Sequence, residues 1–230
     1  MNLRWLGPLA LLAALFVGDQ IRINRPGHKY RLTLEIETPA GSKSASGVIS
    51  VHPDRGYSRH GHTSSNGDAV FVDLGDGKNL VALLAHIDKT IDLDGVNFVA
   101  LRAYKAAGRN VSFNEMSRMT GAVPVTGALI PALVTFASLD DPASARTVQP
   151  DDLAAAFGKG FRLQGVSAEV VPNGLWPFDF GGALGEPVTR GIGQKLKWLN
   201  AAPTSAETAI RAAGLPVGEP IDAREAFTRK

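Results

Sequence analysis

Hydrophobic and polar positions alternate strictly from Tyr30 to Glu37. Tyr30, Leu32, Leu34 and Ile36 fall on one side, and Arg31, Thr33, Glu35 and Glu37 on the other. A period of two marks a strand with one buried face. Pro39-Ala40-Gly41 supplies a turn. Ala45–His52 then continues as a second strand with Ile49 and Val51 inward, so a hairpin is predicted. The next apolar runs differ. Val70-Phe71-Val72 and Leu80 to Leu84 are continuous, which predicts strands covered on both faces. Gly75-Asp76-Gly77 joins them as a hairpin turn. This hairpin, 68–74 with 78–86, is expected at the centre of the sheet, with Phe71 fully buried.

Further along, the period changes. Val96, Val99, Ala100, Ala103, Tyr104 and Ala107 recur at helical spacing between Asp94 as N-cap and Gly108 as terminator. One or two helical turns are expected at 113–119. Strands are expected at 132–138 and 146–149, around the turn Leu139-Asp140-Asp141-Pro142. Pro150, Asp151, Asp152 and Gly158 frame a short helix at 150–157. Residues 161–171 read as a strand whose parity slips at Gly165, which predicts a bulge. Val188, Ile192, Leu196 and Leu199 predict a helix over 187–199, weakened by Gly191 and Gly193. The chain beyond residue 200 is polar, with room for a helix at 206–213 and a loosely held last stretch of about 15 residues. The expected fold class is α+β: mostly antiparallel sheet, or a partly closed barrel built from hairpins, with a few short helices. Residues 29–200 form its single β-rich domain, and 201–230 its polar tail.

The amino terminus fits none of these patterns. Leu6 to Gly18 is an uncharged apolar run of 13 residues behind Arg4. A span needs about 20 residues, whereas a signal-peptide core needs fewer. Residues 1–18 are therefore expected to be a signal peptide or an uncleaved membrane anchor, followed by a polar linker at 19–28. The cleavage site is poor, because Phe16 or Leu12 stands where a small residue is wanted. Two other readings stand beside export: a buried core helix, and an anchor with the body in the cytoplasm. Arg22, Arg25, Lys29 and Arg31 follow the apolar run closely, which by the positive-inside rule argues for the last.

Composition narrows the function classes. The chain has 230 residues, 44% hydrophobic and 20% charged, enough for a packed core. Lys and Arg number 24 against 22 Asp and Glu, a net charge of +2, so no polycationic nucleic-acid surface is expected. Cysteine is absent, which excludes disulfides, thiolate metal sites, a cysteine nucleophile and lipid attachment through sulfur.

Candidate chemistry is sparse. His60-Gly61-His62, in the polar loop 53–67, offers two imidazoles to a metal, with Asp68, His52 or His86 to complete the set. Without a third ligand at recognised spacing the pair is a weak signal, and solvated loop histidines explain it without a metal. Ser64 and Ser65 stand near His62 and Asp68, but a serine triad needs an order in space that spacing does not supply. Asp151-Asp152 is explained by a helix N-terminus and Asp140-Asp141 by turn chemistry. Calcium-loop, phosphate-loop, dinucleotide, zinc-protease and serine-hydrolase motifs are all absent. Trp176, Phe178 and Phe180, in a Gly- and Pro-rich loop at 172–186, are partner-binding candidates, or aromatics that fold back on the sheet. Arg22, Arg25, Lys29 and Arg31 could meet anionic lipid.

The segments KYRLTLEIETPAG, GDAVFVDLGDGKNLVALL, PALVTFASLDDPASARTVQPDDLAAAFGKGFRL and EPVTRGIGQKLKWL resemble an uncharacterised family of proteobacterial envelope proteins. These have an N-terminal hydrophobic leader and a β-rich body. The resemblance covers roughly residues 29–200 and implies one compact β-rich unit. It carries no activity, cofactor or catalytic residue. The expectation is a non-catalytic exported or membrane-anchored envelope protein, periplasmic, acting as a binding or structural module. Its partners would be the inner membrane, through residues 1–18, and an envelope protein, with no nucleic acid and no cofactor. The alternative is a metal-dependent hydrolase using the His60/His62 loop.

Overall fold

The alternation of residues 30–37 becomes the central strand of the larger sheet. The computed structural model describes residues 6–54, 62–87, 90–174, 185–216 and 222–230. In order these form helix α1 (Leu6–Asn24) and strands β1 (His28–Thr38), β2 (Gly41–His52), β3 (Ser64–Asp68), β4 (Val70–Gly75), β5 (Lys78–Ala82), β6 (His86–Ile87) and β7 (Ile91–Asp92). Then come helix α2 (Val99–Ala106), β8 (Ala122–Pro124), β9 (Leu133–Phe136), β10 (Ala145–Val148), helix α3 (Leu153–Phe157) and β11 (Arg162–Val171). Helices α4 (Ile192–Lys195) and α5 (Pro203–Ala212) and strand β12 (Thr228–Arg229) follow.

The fold is α+β, with antiparallel sheets, a few short helices and, among the described residues, no closed barrel. The larger sheet has the order β12-β3-β2-β1-β11-β8, and a second has the order β10-β9-β5-β4. β1 and β2 pair along their whole length around Pro39-Ala40. Opposite β1, the register of β11 shifts between Glu35 and Ile36, leaving Gln164 as the extra residue beside Gly165. The bulge keeps Leu163, Val166, Ala168 and Val170 on the side of one core despite their broken parity.

The smaller sheet lies between two cores, which explains its continuous apolar runs. Val70, Val72, Leu80 and Ala82 face the first core, together with the inward side chains of β1 and β11 and the buried face of α2. Val81, Val134 and Phe136 face the second, which α4, α5 and the chain end cover. β3 and β4 are one run of chain bent at Ala69, so the two sheets share a corner. Gly47 permits the close approach there: a Cβ at that position would lie 2.9 Å from Val70 Cγ2.

Four expectations are corrected. β4 is an edge strand, and Phe71 is only partly buried, with the Lys195 ammonium 5.6 Å from its ring centre. The helix expected over 187–199 shrinks to α4 and a 3-10 turn at Lys197–Asn200. Its start is held back by Gly191, at φ 114°, a conformation that glycine adopts without a Cβ penalty. Before it, Thr189 is bonded to β2 through Val48 rather than wound into a helix. Third, the end of the chain is packed, not loose. Phe227 is fully buried, edge-on to Trp198 at 5.4 Å, and its carbonyl accepts from the Ala69 N–H. The short helix near 150 also starts later than expected: Asp152 caps it by accepting from the Ala155 N–H at 3.0 Å.

Candidate functional site

The apolar run 6–18 forms most of α1. The helix stops at Asn24 because Pro26 disfavours helical backbone at Arg25. Leu9, Leu11, Leu12, Leu15, Phe16 and Val17 are each more than half exposed, with Phe16 at 67%. Apart from them, only Ile21 and Ile87 are exposed large hydrophobics among the described residues. At 3.6 residues per turn the six positions cover about two thirds of the circumference, and the uncharged Ala10, Ala14 and Gly18 occupy the rest. The polar end carries an Asp19–Arg22 ion pair at 3.0 Å.

At the foot of α1 the chain passes into a cleft of about 550 Å³. Pro26, Gly27, Pro53, Phe113, Asn114, Ser117 and Asn173 line it. Arg25 is the only charged residue among the described lining residues. The neck is pinned. The Gly27 N–H donates to the Val51 carbonyl at 2.8 Å, and Asn173 Nδ2 donates to the Pro26 and Gly27 carbonyls at 3.4 Å each. A Cβ on Gly27 would lie 3.0 Å from Pro53 Cδ and 3.3 Å from Phe113 Cε1, so only glycine fits without displacement.

Behind this wall lies His28, fully buried, its ring edge-on to Phe113 at 5.2 Å. Burial, with a smaller push from His52, lowers its pKa from 6.5 to about 4. Six buried side-chain polar atoms among the described residues have no hydrogen-bond partner, and three of them are here: His28 Nδ1, His28 Nε2 and Asn173 Oδ1. Such an atom costs about 1–3 kcal/mol. A concentration of them at one end of the molecule therefore calls for an explanation. The sequence did hold a signal for His28, since the alternation of β1, run back two residues from Tyr30, puts it on the buried face. Asn173 and the cleft had none.

A second polar cleft, of about 390 Å³, lies beside His62, Asn97, Arg224 and Glu225. Its inner wall is Arg229, 7% exposed. This guanidinium donates to the Glu225 carbonyl at 3.0 Å, to Ser65 Oγ at 3.0 Å and to the Leu84 and Leu93 carbonyls at 2.7 and 2.5 Å. Burial lowers its pKa, against an opposing pull from Glu225. Arg229 thus ties three segments together. Ser65 Oγ, by accepting from Arg229, joins β3 to the segment that carries Arg229.

His62 is exposed at the rim, and His60 lies outside the described residues. The side chains expected to join them are engaged elsewhere. Asp68 accepts from the Ile192 N–H at 2.9 Å and from Thr228 Oγ1 at 2.7 Å. His86 Nε2 is on the Leu129 carbonyl and His52 Nε2 on Ser50 Oγ, both at 2.9 Å. Among the described residues no three histidine, aspartate or glutamate side chains form a group that could hold a metal ion. Asp141 caps the turn at Pro142–Ser144, accepting from the Ala143 N–H. Trp176, Phe178 and Phe180 lie outside the described residues.

The four basic residues after the apolar run are not one lipid-facing group. Lys29 is buried, with Nζ on the Glu186 carbonyl at 2.9 Å. Arg31 pairs with Glu169 at 2.6 Å and with Glu186. Only Arg22 and Arg25 are exposed, at the end of α1. No protein-family model, no curated protein and no solved structure matches this chain.

Proposed function

We propose that this chain is a non-catalytic module, exported to or anchored at a membrane, that acts there by binding or as a structural element. The surface of α1 carries this reading. A groove or a helix–helix seam buries one stripe of a helix, whereas a helix apolar on all sides calls for apolar surroundings on all sides. Each of its leucines gains roughly 1.5–3 kcal/mol on full burial, so the water-exposed state is costly. No helix among the described residues is long and apolar enough to cross a membrane. The uncharged stretch 6–18 rises about 20 Å, against a hydrocarbon thickness of about 30 Å. That length suits the apolar core of a leader, or a helix that enters a bilayer without spanning it.

The test is flotation of the full chain with phosphatidylcholine vesicles, beside a Leu11→Asp/Leu15→Asp variant. The wild type should float and the variant should stay below, with the melting of the body unchanged. A reporter fused after Gly18 should be exported by a bacterial host. A wild type that stays below, together with a cytoplasmic reporter, would overturn the reading.

A further inference from the structure

We propose that the free edge of β2, at residues 42–46, takes up an added β-strand: an extended segment of a partner protein in which basic and apolar side chains alternate. The inference rests on the binding role proposed above and gives it a surface and a partner class. It takes nothing from the reading of α1.

The backbone is the first argument. β2 pairs with β1 from Gly41 to Val51, but with β3 only at Ser50, Val51 and His52. Before Val48, the side of β2 away from β1 carries no strand among the described residues. Val48 fixes the direction of the backbone there. Its N–H donates to Thr189 Oγ1 at 2.8 Å, and its carbonyl accepts from the Thr189 N–H at 3.0 Å. Both groups therefore point away from β1, and along a strand that direction alternates residue by residue. The register from Gly41 to Val51 is unbroken, so Ser42, Ser44 and Ser46 turn their N–H and C=O groups the same way as Val48. All three serines are exposed, and among the described residues no backbone bond reaches them from that side. Such a row of unpaired donors and acceptors is a template for another strand. No proline and no bulge blunts it, and Lys43 is its single charge.

Charge selects the occupant. An added strand lays every second side chain on the face that carries Ser42, Ser44 and Ser46. There Ser44 lies opposite Glu35, and Ser42 opposite Glu37. Glu37 is held by Arg162 at 2.7 Å. Glu35 is exposed and has no partner among the described residues. From an added strand to β1 is two strand spacings, about 9.6 Å. A lysine or arginine lying across the short Ser44 side chain spans that distance together with the glutamate. On the other face the added strand meets Ala45, which is partly buried against the first core and favours an apolar neighbour. A second copy of the chain fits less well. Antiparallel pairing of two such edges, centred on Ser44, sets serine against serine and Lys43 against Ala45, and brings no cation to Glu35.

The experiment uses the full chain and short synthetic peptides: alternating lysine and valine, alternating glutamate and valine, and the lysine peptide N-methylated at its lysines. The lysine peptide should bind. At about ten times its Kd, hydrogen exchange at the Ser42, Ser44 and Ser46 amides should slow roughly tenfold. The Lys43 and Ala45 amides face β1 and should not change. The N-methylated peptide, which cannot complete the ladder, should not bind. Glu35→Gln should weaken the lysine peptide roughly threefold, the scale of an exposed ion pair, and should narrow its advantage over the glutamate peptide. Ser44→Pro removes one edge donor where proline is tolerated, so the body should melt as wild type while binding is lost. Exchange in the wild type decides the matter even where this variant fails to fold. Binding of the N-methylated peptide, or unchanged exchange at the three serines under bound lysine peptide, overturns the proposal. So does equal binding of the glutamate peptide. Serine amides protected before any peptide is added, in a dimer that Ser44→Pro dissolves, would give the edge to a second copy and overturn it as well. No vesicle enters this test, so its failure leaves the reading of α1 standing, and a failure of flotation leaves the edge site standing.

Discussion

Asn79 bonds to Phe136 through both main-chain groups: its Nδ2 donates to the Phe136 carbonyl at 2.8 Å, and the Phe136 N–H donates to its Oδ1 at 3.0 Å. β5 and β9 pair through Val81–Val134 and Ala82–Leu133. The side-chain amide prolongs that ladder where the two backbones part. It also fixes the Phe136 ring against Trp198 at 5.7 Å, so a polar residue in the middle layer positions the second core.

Replacing Asn79 by Ala strands two buried main-chain groups. The expected loss is about 2–4 kcal/mol, read from the urea midpoint at unchanged slope. A loss of a few tenths would mean that solvent reaches Phe136 and takes over both bonds.

Two phenylalanines should separate by an amount that their burial sets. Phe227→Ala empties a fully enclosed space beside Trp198 and should cost about 3–5 kcal/mol. Phe71→Ala removes a partly covered ring beneath Lys195 and should cost about 1–2 kcal/mol. Equal losses would contradict the burial of one ring or the exposure of the other.

Acid should destabilise the fold through His28. Its native pKa is about 4 against 6.5 for the free side chain, so the unfolded chain takes up this proton first. The stability at issue is fully present above pH 6.5 and is lost as pH falls toward 4, by about 3 kcal/mol at most. His86, also lowered mainly by burial, acts in the same sense. His28→Phe should flatten stability against pH between 6.5 and 4. An identical slope in wild type and variant would acquit the residue.

Removing the Arg229 side chain leaves the Leu84 and Leu93 carbonyls without their donor. Arg229→Ala should cost about 2–4 kcal/mol. Arg229→Lys should recover little, because a single ammonium cannot span acceptors that a planar guanidinium forks between. Thermal melts of the two variants decide this, and full rescue by lysine would reduce the role of Arg229 to its charge.

The strands were legible wherever one period ran long enough. β1, β2 and the Gly75-Asp76-Gly77 hairpin follow from alternation and turn chemistry, and the slip at Gly165 foretold the bulge. What failed depends on contacts distant in sequence. The spacing of Val188, Ile192 and Leu196 is helical, yet Thr189 is taken by Val48 of β2 and the backbone turns at Gly191. The last residues look polar, and only Trp198, 29 residues earlier, shows why Phe227 is buried. The apolar surface of α1 could be read directly from residues 6–18. The cleft below it could not, because Arg25, Ser117 and Asn173 meet only once three separate segments converge.

The corner at Ala69 has a consequence for biosynthesis. Its N–H is capped by the Phe227 carbonyl, and Leu84 is likewise held by Ala226. The strand that both sheets share is therefore secured by a residue 158 positions further along the chain, Phe227 against Ala69. A nascent chain that ends before residue 223 lacks that closure, and the middle layer stays open on one face. Nascent chains stalled before residue 223 should be cut readily by protease, and chains that have emerged through residue 230 should resist. Closure of the middle layer is thus set by synthesis of a distant segment rather than by the hairpin it contains.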